Sequence, residues 1–400
     1  MKVITFGCRI NTYESALMSK FADDMDNVIV INTCAVTAEA ERQCRQTIRK
    51  LKKENPSVRI FVAGCAAQLN PDAYLSMPEV DKVLGNLDKL KKENFTCPDK
   101  KIVSDVMHTD FDIPTVTEFD GKTRAFLQVQ QGCNHHCTFC VVHFVRGRNK
   151  GVEPDRVIKQ AKQMVKNGYC EIVLTGVDLT SYPYDLADLT ERLLTEVDGL
   201  KRLRLGSLDP AGVSEKMISL FGRYENLMPH VHFSTQAGSN DVLKKMARRH
   251  TREDVLRVVD DLRKVRPDIV FGSDFITGFP TETEEMFNQT MDLVKQTGMI
   301  LLHVFPFSER PLTPSVKLTP VVPMEIRRQR AALLRELGKN QLDAYLKTQV
   351  GKKSIVLVEK KGFGFNEHYI HTAVDENAPV GRFVEIVNKE VKDGTLVGKD

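Results

Sequence analysis

The nine cysteines offer the most chemistry in this chain, and their spacing divides them into sets. Cys133, Cys137 and Cys140 lie within Gly132-Cys133-Asn134-His135-His136-Cys137-Thr138-Phe139-Cys140. Cys-x3-Cys-x2-Cys spacing in one loop lets three thiolates wrap a single cluster and leaves one iron of a [4Fe–4S] cube open to an outside ligand. The amino and carboxylate groups of S-adenosylmethionine suit that iron, where an electron from the cluster can cleave the sulfonium bond and release a carbon radical. The alternative is a zinc site of the three cysteines with His135 or His136, although zinc modules more often use paired Cys-x2-Cys knuckles.

Cys8, Cys34 and Cys65 are far apart in sequence, yet each closes a short apolar run: Ile4-Thr5-Phe6-Gly7-Cys8, Val30-Ile31-Asn32-Thr33-Cys34 and Phe61-Val62-Ala63-Gly64-Cys65. As the last residues of neighbouring parallel strands they converge on one sheet edge, which makes a second three-thiolate site with an open iron. The plainer account is that cysteine is a common buried residue and these three are core. Cys44, Cys97 and Cys170 have no such phasing and are assigned no chemistry.

The elements that must position these residues alternate strand and helix. Residues 2–8, 28–34, 59–65 and 82–85 read as strands of a small parallel-sheet α/β domain, 1–104. Residues 99–122 are polar and acidic, carry Pro114 and suit a linker. Strands near 125–131, 171–177, 202–207, 230–236, 268–277 and 300–307, with helices between them, predict a partial (β/α)6 barrel over 119–342 whose ligands sit at the C-terminal strand ends. A helix over 322–347 closes it. Short strand-like runs at 353–359, 368–372 and 383–388 predict a small all-β, oligonucleotide-binding-like barrel over 343–400.

Composition sets the frame without deciding the function. With 42% apolar and 28% charged residues the 400-residue chain is of the ordinary globular kind, and its net charge of +4 leans only slightly towards a polyanion. No stretch of eighteen apolar residues occurs and the opening lacks a signal peptide, so no membrane is expected and the cytoplasm is the default location. Thiols there are kept reduced, which argues against a disulfide framework.

Polar groups at the expected strand ends form a candidate S-adenosylmethionine pocket: Thr175, Gly176 and Asp178, Ser207 and Asp209, Gln236, and Asp274 with Gly278. For RNA, Arg42, Arg45, Arg49 and Lys52 share one helix face, a pattern whose commoner fate is solvation. Arg146, Arg148, Lys150, Arg248 and Arg249 flank the cluster loop and are better placed to meet phosphates. Residues 343–400 carry nine basic and nine acidic side chains, so charge gives that domain no RNA role.

Gly7-Cys8-Arg9-Ile10-Asn11-Thr12-Tyr13-Glu14-Ser15, Asn32-Thr33-Cys34-Ala35-Val36-Thr37 and Ala63-Gly64-Cys65-Ala66-Ala67-Gln68, together with the Cys133 loop, resemble the methylthiotransferase family of radical S-adenosylmethionine enzymes. The likeness is to the branch acting on N6-threonylcarbamoyladenosine at position 37 of transfer RNA and spans nearly the whole chain. It implies that Cys8, Cys34 and Cys65 hold an auxiliary [4Fe–4S] cluster and Cys133, Cys137 and Cys140 the radical-generating one. It implies further that the barrel is a radical S-adenosylmethionine core, that the terminal domain is TRAM-like and binds the anticodon loop, and that adenine C2 receives the methylthio group. An electron donor and a sulfur source are required, of unspecified identity. The chain departs from the family at Phe233-Ser234-Thr235-Gln236-Ala237-Gly238-Ser239 and at Gly206, which stands where the family has serine. Alternatives are methylthiolation of isopentenyladenosine in transfer RNA or of a ribosomal-protein aspartate, and a noncatalytic iron–sulfur sensor of RNA.

Overall fold

The structure, a computed structural model, describes residues 1–21 and 25–398. Its first unit is one parallel sheet of β1 (Lys2–Thr5), β2 (Val28–Thr33), β3 (Arg59–Gly64), β4 (Lys82–Leu84) and β5 (Lys101–Ile102), in that order. The near-continuous apolar runs Val28–Ile31 and Ile60–Ala63 fit strands covered on both faces. Helices α1 (Arg9–Ser19), α2 (Ala38–Glu54), α3 (Cys65–Leu69), α4 (Pro71–Leu75) and α5 (Glu93–Thr96) supply the cover. In α2, the Thr37 hydroxyl accepts from the Ala40 N–H, Glu39 and Glu41 occupy the first turn and Lys52 and Lys53 the last, each matched to the helix dipole.

The stretch expected to be a linker is largely structured. β5 lies inside it, and Ile113, Val116 and Phe119 are buried in the core of the next unit. Tyr13 of α1 packs on Phe119, and its hydroxyl donates to the Pro114 carbonyl at 2.5 Å and accepts from the Val116 N–H at 3.0 Å. The acidic, Pro-containing sequence concealed three apolar anchors that lie in no helix or strand.

The second unit carries β6 (Ala125–Gln128), the small pair β7 (Gln130–Gln131) and β8 (Lys150–Gly151), β9 (Glu171–Thr175), β10 (Arg202–Arg204), β11 (His230–Gln236), β12 (Val270–Thr277) and β13 (Leu301–Pro306). Parallel pairs β6–β9–β10 and β11–β12–β13 form two three-stranded halves, joined by single parallel bridges Leu203–Leu227 and Leu208–Phe233. The result is an open arc of six strands with β6 and β13 at its free edges. The short α6 (Val142–Arg146) packs on α3 of the first unit; the other helices are α7 (Pro154–Lys166), α8 (Leu186–Glu196), α9 (Glu215–Arg223), α10 (Asn240–Lys245), α11 (Arg252–Val265), α12 (Glu284–Thr297) and the long α13 (Met324–Gln349).

A last sheet of β14 (Lys353–Lys360), β15 (Phe363–Phe365), β16 (His371–Ala373), β17 (Phe383–Val387), β18 (Glu390–Lys392) and β19 (Thr395–Val397) runs in the order β17-β14-β15-β16-β19-β18. It packs on the N-terminal ends of the barrel strands through Val270, Ile300, Leu346, Ile370 and Leu396. The overall class is therefore the expected one, an α/β chain with a small parallel sheet, a partial barrel and a terminal β unit. Among the described residues no helix is long and apolar enough to cross a membrane.

Candidate active site

Because β1, β2 and β3 are adjacent and parallel, their C-terminal ends share one edge, and Cys8, Cys34 and Cys65 sit there. None is the last residue of its strand. Cys8 is the N-cap of α1, Cys34 follows β2, and Cys65 is the first residue of α3. The turns into the helices are tight: Gly7 and Gly64 have φ of +96° and +98°, and a Cβ on Gly7 would lie 2.8 Å from Cys34 Cβ. Burial pushes the Cys34 thiol up to about 12, with Cys65 and Cys8 near enough to add to the shift.

An ionic group lies under this edge. Arg146, only 2% exposed, ends α6 shortly after the Cys133–Cys140 loop and donates its Nε to Cys65 Sγ at 3.2 Å. Its Nη2 donates to Glu14 Oε2 at 3.0 Å and Asn11 Oδ1 at 2.6 Å, and Nη1 also meets Glu14. Lys89 Nζ is 2.6 Å from Glu14 and donates to Asn32 Oδ1 at 3.0 Å. Burial works to raise the Glu14 carboxyl, but Arg146 and Lys89 outweigh it and hold Glu14 below its ordinary value.

Cys133, Cys137 and Cys140 occupy the loop between β7 and α6. Burial pushes Cys133 up to about 11 and Cys140 to about 12, and the members of the set act on one another. N–H groups point at the sulfurs: His135 N to Cys133 at 3.4 Å, Val142 N to Cys140 at 3.4 Å and Arg248 Nη1 to Cys137 at 3.5 Å. In the other set Val36 N meets Cys34 at 3.5 Å. Such donors favour the thiolate once iron takes the place of the proton, so both sets fit iron–sulfur ligation. Of the two histidines of the zinc alternative, His135 is turned to Asp178 at 2.9 Å and Ser181 at 3.0 Å, and His136 meets the His143 ring edge to face.

The comparisons with known proteins match this architecture. Residues 127–294 match the Radical SAM superfamily, and residues 1–85 match the Uncharacterized protein family UPF0004. The threonylcarbamoyladenosine tRNA methylthiotransferase MtaB of Rickettsia prowazekii (strain Madrid E) is 43% identical over 405 residues, 99% of this chain and 96% of the relative. The chain belongs to the radical S-adenosylmethionine methylthiotransferases. The MtaB protein of Aquifex aeolicus (strain VF5) is 35% identical, covering 96% of this chain and 98% of the relative. The tRNA-2-methylthio-N(6)-dimethylallyladenosine synthase of Ehrlichia chaffeensis is 31% identical, covering 92% and 89%. The radical S-adenosylmethionine methyltransferase TsrM from Kitasatospora setae, with cobalamin and a [4Fe–4S] cluster bound, shares the fold at a TM-score of 0.55 and 16% identity, covering 77% of this chain and 69% of that one.

In this methylthiotransferase the expected pocket residues divide. Asp178 and Asp209 flank the Cys133 loop: Asp178 holds His135, and Asp209 receives Arg248 at 3.4 Å, Arg249 at 3.1 Å and His250 at 3.2 Å. Burial opposes ionisation of Asp209, but its hydrogen bond to His250 and the charge of Arg248 keep it well below the carboxylate range. Ser207 Oγ and Arg248 Nε are buried without a hydrogen-bond partner, as a polar ligand would require. Gln236 ends β11 at φ +70°, a left-handed conformation at the mouth of the barrel. Thr175 is buried, and its hydroxyl turns back to the Val173 carbonyl.

Two expectations are corrected, those for Arg146 and Arg248, and the remaining candidates have protein neighbours of their own. A Cβ on Gly176 would meet Gln130 and Leu179, and one on Gly278 would meet Arg327, so each glycine admits a close neighbouring side chain. Asp274 lies within the arc, bonded to His232 Nε2 and His303 Nδ1 at 3.1 Å each. Arg146 is buried on Glu14 and Cys65, and Arg248 on Asp209 and Cys137, so neither faces RNA. Arg42 and Arg45 pair with Glu39 and Glu41, Lys52 lies 3.7 Å from Asp81, and Arg49 is exposed; Lys150 binds Asp110. Arg148 is exposed and Arg249 half-exposed, so these two remain at the surface. Sequence reasoning passed over His232, His303 and Gln130, whose amide accepts from the Asp178 N–H at 2.8 Å and donates to the Gly132 carbonyl at 2.6 Å. Alternation along β11 and β13 was the signal for the two histidines, since both point into the arc.

Proposed function

We propose that this enzyme adds a methylthio group to C2 of N6-threonylcarbamoyladenosine at position 37 of cytoplasmic transfer RNA. Cys133, Cys137 and Cys140 hold one [4Fe–4S] cluster, and Cys8, Cys34 and Cys65 hold the other. When bound, the first cluster with S-adenosylmethionine would supply the carbon radical that an inert adenine C–H bond requires, and the second would supply the sulfur. Arg146 carries this reading, because one guanidinium that follows the first cysteine loop touches a cysteine of the second set and so fixes the two sets relative to each other.

The chain's own residues have separable tasks. Arg248 and Asp209 brace Cys137, Asp178 orients His135 beside Cys133, and Ser207 offers an unfilled hydroxyl to the cofactor. The N-terminal unit spans the open side of the arc. Tyr13 packs near β6, while Ala38 N donates to Ser308 Oγ at 3.0 Å and Glu41 pairs with Arg310, both beyond β13. This closure keeps water from the radical.

The choice of nucleoside follows the relatives named for threonylcarbamoyladenosine, at 33–43% identity over nearly the full chain. The test is reaction of reconstituted enzyme with transfer RNAs bearing either modified adenosine, followed by nucleoside mass analysis. The expected product is the 2-methylthio form of threonylcarbamoyladenosine. Product from dimethylallyladenosine instead would overturn the assignment.

A further inference from the structure

The interior of the arc is polar, and its charges do not cancel evenly. Glu171, at the start of β9, is met by Arg204 at 3.0 Å, Arg124 at 3.6 Å and Arg202 at 3.7 Å. Arg124 and Arg202 also meet Glu359 and Glu367 of the last sheet. Asp274 is occupied by His232 and His303. Each of these four acids is engaged.

Arg9 stands apart from these pairs. It follows Cys8 directly and reaches from the first unit into the arc, its Nη1 3.9 Å from where a Cβ on Gly206 would stand. Its Nη2 is 3.4 Å from the Tyr369 hydroxyl, and its guanidinium lies 5.9 Å from that ring's centre. Among the described residues no carboxylate pairs with it. Burial, then Arg204, His232 and Arg9, holds His230 well below the usual imidazole value.

We infer that Arg9 is a specificity residue that binds the carboxylate of the substrate's threonyl arm. This rests on the reading above. In adenine, C2 and the carbon bearing N6 flank the same ring nitrogen. A base whose C2 is presented to the group that Cys8 would hold therefore keeps its N6 arm within reach of the residue beside Cys8. A threonylcarbamoyl arm ends in a carboxylate and suits an unpaired guanidinium, whose fork of N–H groups matches it. An apolar dimethylallyl arm would leave that guanidinium desolvated and unpaired.

The experiment uses full-length reconstituted holoenzyme and two anticodon stem-loop RNAs, one with threonylcarbamoyladenosine and one with its methyl ester. Wild type should favour the acid by about tenfold or more in kcat/KM, the value of a charge-assisted hydrogen bond to a carboxylate. In Arg9→Gln that preference should collapse through a higher KM for the acid, with iron and sulfide content at the wild-type level, and Arg9→Lys should restore part of it. Equal loss on both RNAs would make Arg9 a phosphate or packing contact and overturn the inference. Loss of the auxiliary cluster in Arg9→Gln would assign the residue to Cys8 and overturn it too. If wild type modifies neither RNA, the proposed function itself fails, an outcome distinct from a modified pair without preference.

Discussion

Cys133, Cys137 and Cys140 share one short loop, whereas Cys8, Cys34 and Cys65 come from three strand ends that only the folded sheet brings together. The loop set is supported by Asp209, which receives the nearly buried Arg248 and the solvent-reaching Arg249, with His135 on Asp178. The strand-end set rests on Glu14, Lys89 and Arg146, three charges whose side chains are 1%, 0% and 3% exposed. A site written locally tolerates local support. A site assembled from distant segments depends on the packing that assembles it.

The sharpest separation should come from the cysteines. Cys34→Ala should remove the auxiliary cluster while leaving the barrel and the other cluster assembled, so that S-adenosylmethionine is still cleaved to 5′-deoxyadenosine but no methylthio group reaches RNA. Cys137→Ala should abolish both. Deoxyadenosine and nucleoside product are measured in the same reactions, with cluster content checked. Full transfer by the Cys34 variant would reduce the strand-end cysteines to core residues.

The buried ionic group comes next. Glu14→Gln leaves Arg146 and Lys89 without their shared counter-charge in a dry site, a change that costs about 3–5 kcal/mol. A large fall in the denaturation midpoint is expected, together with loss of the auxiliary cluster before the loop cluster. Asp209→Asn should cost less, since one of its three partners, Arg249, reaches solvent and can rehydrate while Arg248 and His250 stay buried. Equal midpoints for the two variants would erase the distinction between the sets.

Backbone strain gives a finer test. A Cβ on Gly64 would sit 2.6 Å from Asn32 Oδ1 and 2.7 Å from Thr33 N, at φ +98°, so Gly64→Ala should cost about 1–3 kcal/mol and disturb Cys65. Gly121, at φ +66° with nothing within 4 Å, should lose only about 1 kcal/mol on the same change. Urea denaturation of both variants measures the difference.

The same contrast explains what the sequence disclosed. The loop set was legible outright, since its spacing is its geometry. The strand-end set was legible through apolar runs ending in cysteine, but the runs overshot: β1 stops at Thr5, and Cys8 already caps α1. The turn chemistry, glycines at positive φ before Cys8 and Cys65, was visible as composition and not as conformation. Arg146 was misjudged as an RNA contact because a basic run in sequence, Arg146-Gly147-Arg148, does not say which side chain turns inward. Its partners, Glu14 and Cys65, lie far away in the chain, and burial of charge is decided by such partners. Arg9 was quoted in the sequence only as part of a family run; its lack of an acid is a property of the fold.

That pair of arginines offers the smallest and most specific effect. Arg148 is exposed one residue beyond Gly147, while Arg146 is sealed against Glu14, so the two differ in access to phosphate though not in charge. Each phosphate contact releases condensed counterions and steepens the fall of binding with salt, by about one unit in the logarithmic slope. Arg148→Gln should therefore flatten the salt dependence of transfer RNA binding by about one unit, with cluster content and stability unchanged. Arg146→Gln should lose stability and the contact to Cys65, yet in whatever folded fraction remains the slope should match wild type. The measurement is RNA binding by fluorescence anisotropy across a salt series, on protein whose folded fraction is known. A flattened slope in Arg146→Gln would mean that this side chain reaches RNA and that its pairing with Glu14 opens during binding. An unchanged slope in Arg148→Gln would move the phosphate contact to Arg249, on the other side of the cluster loop.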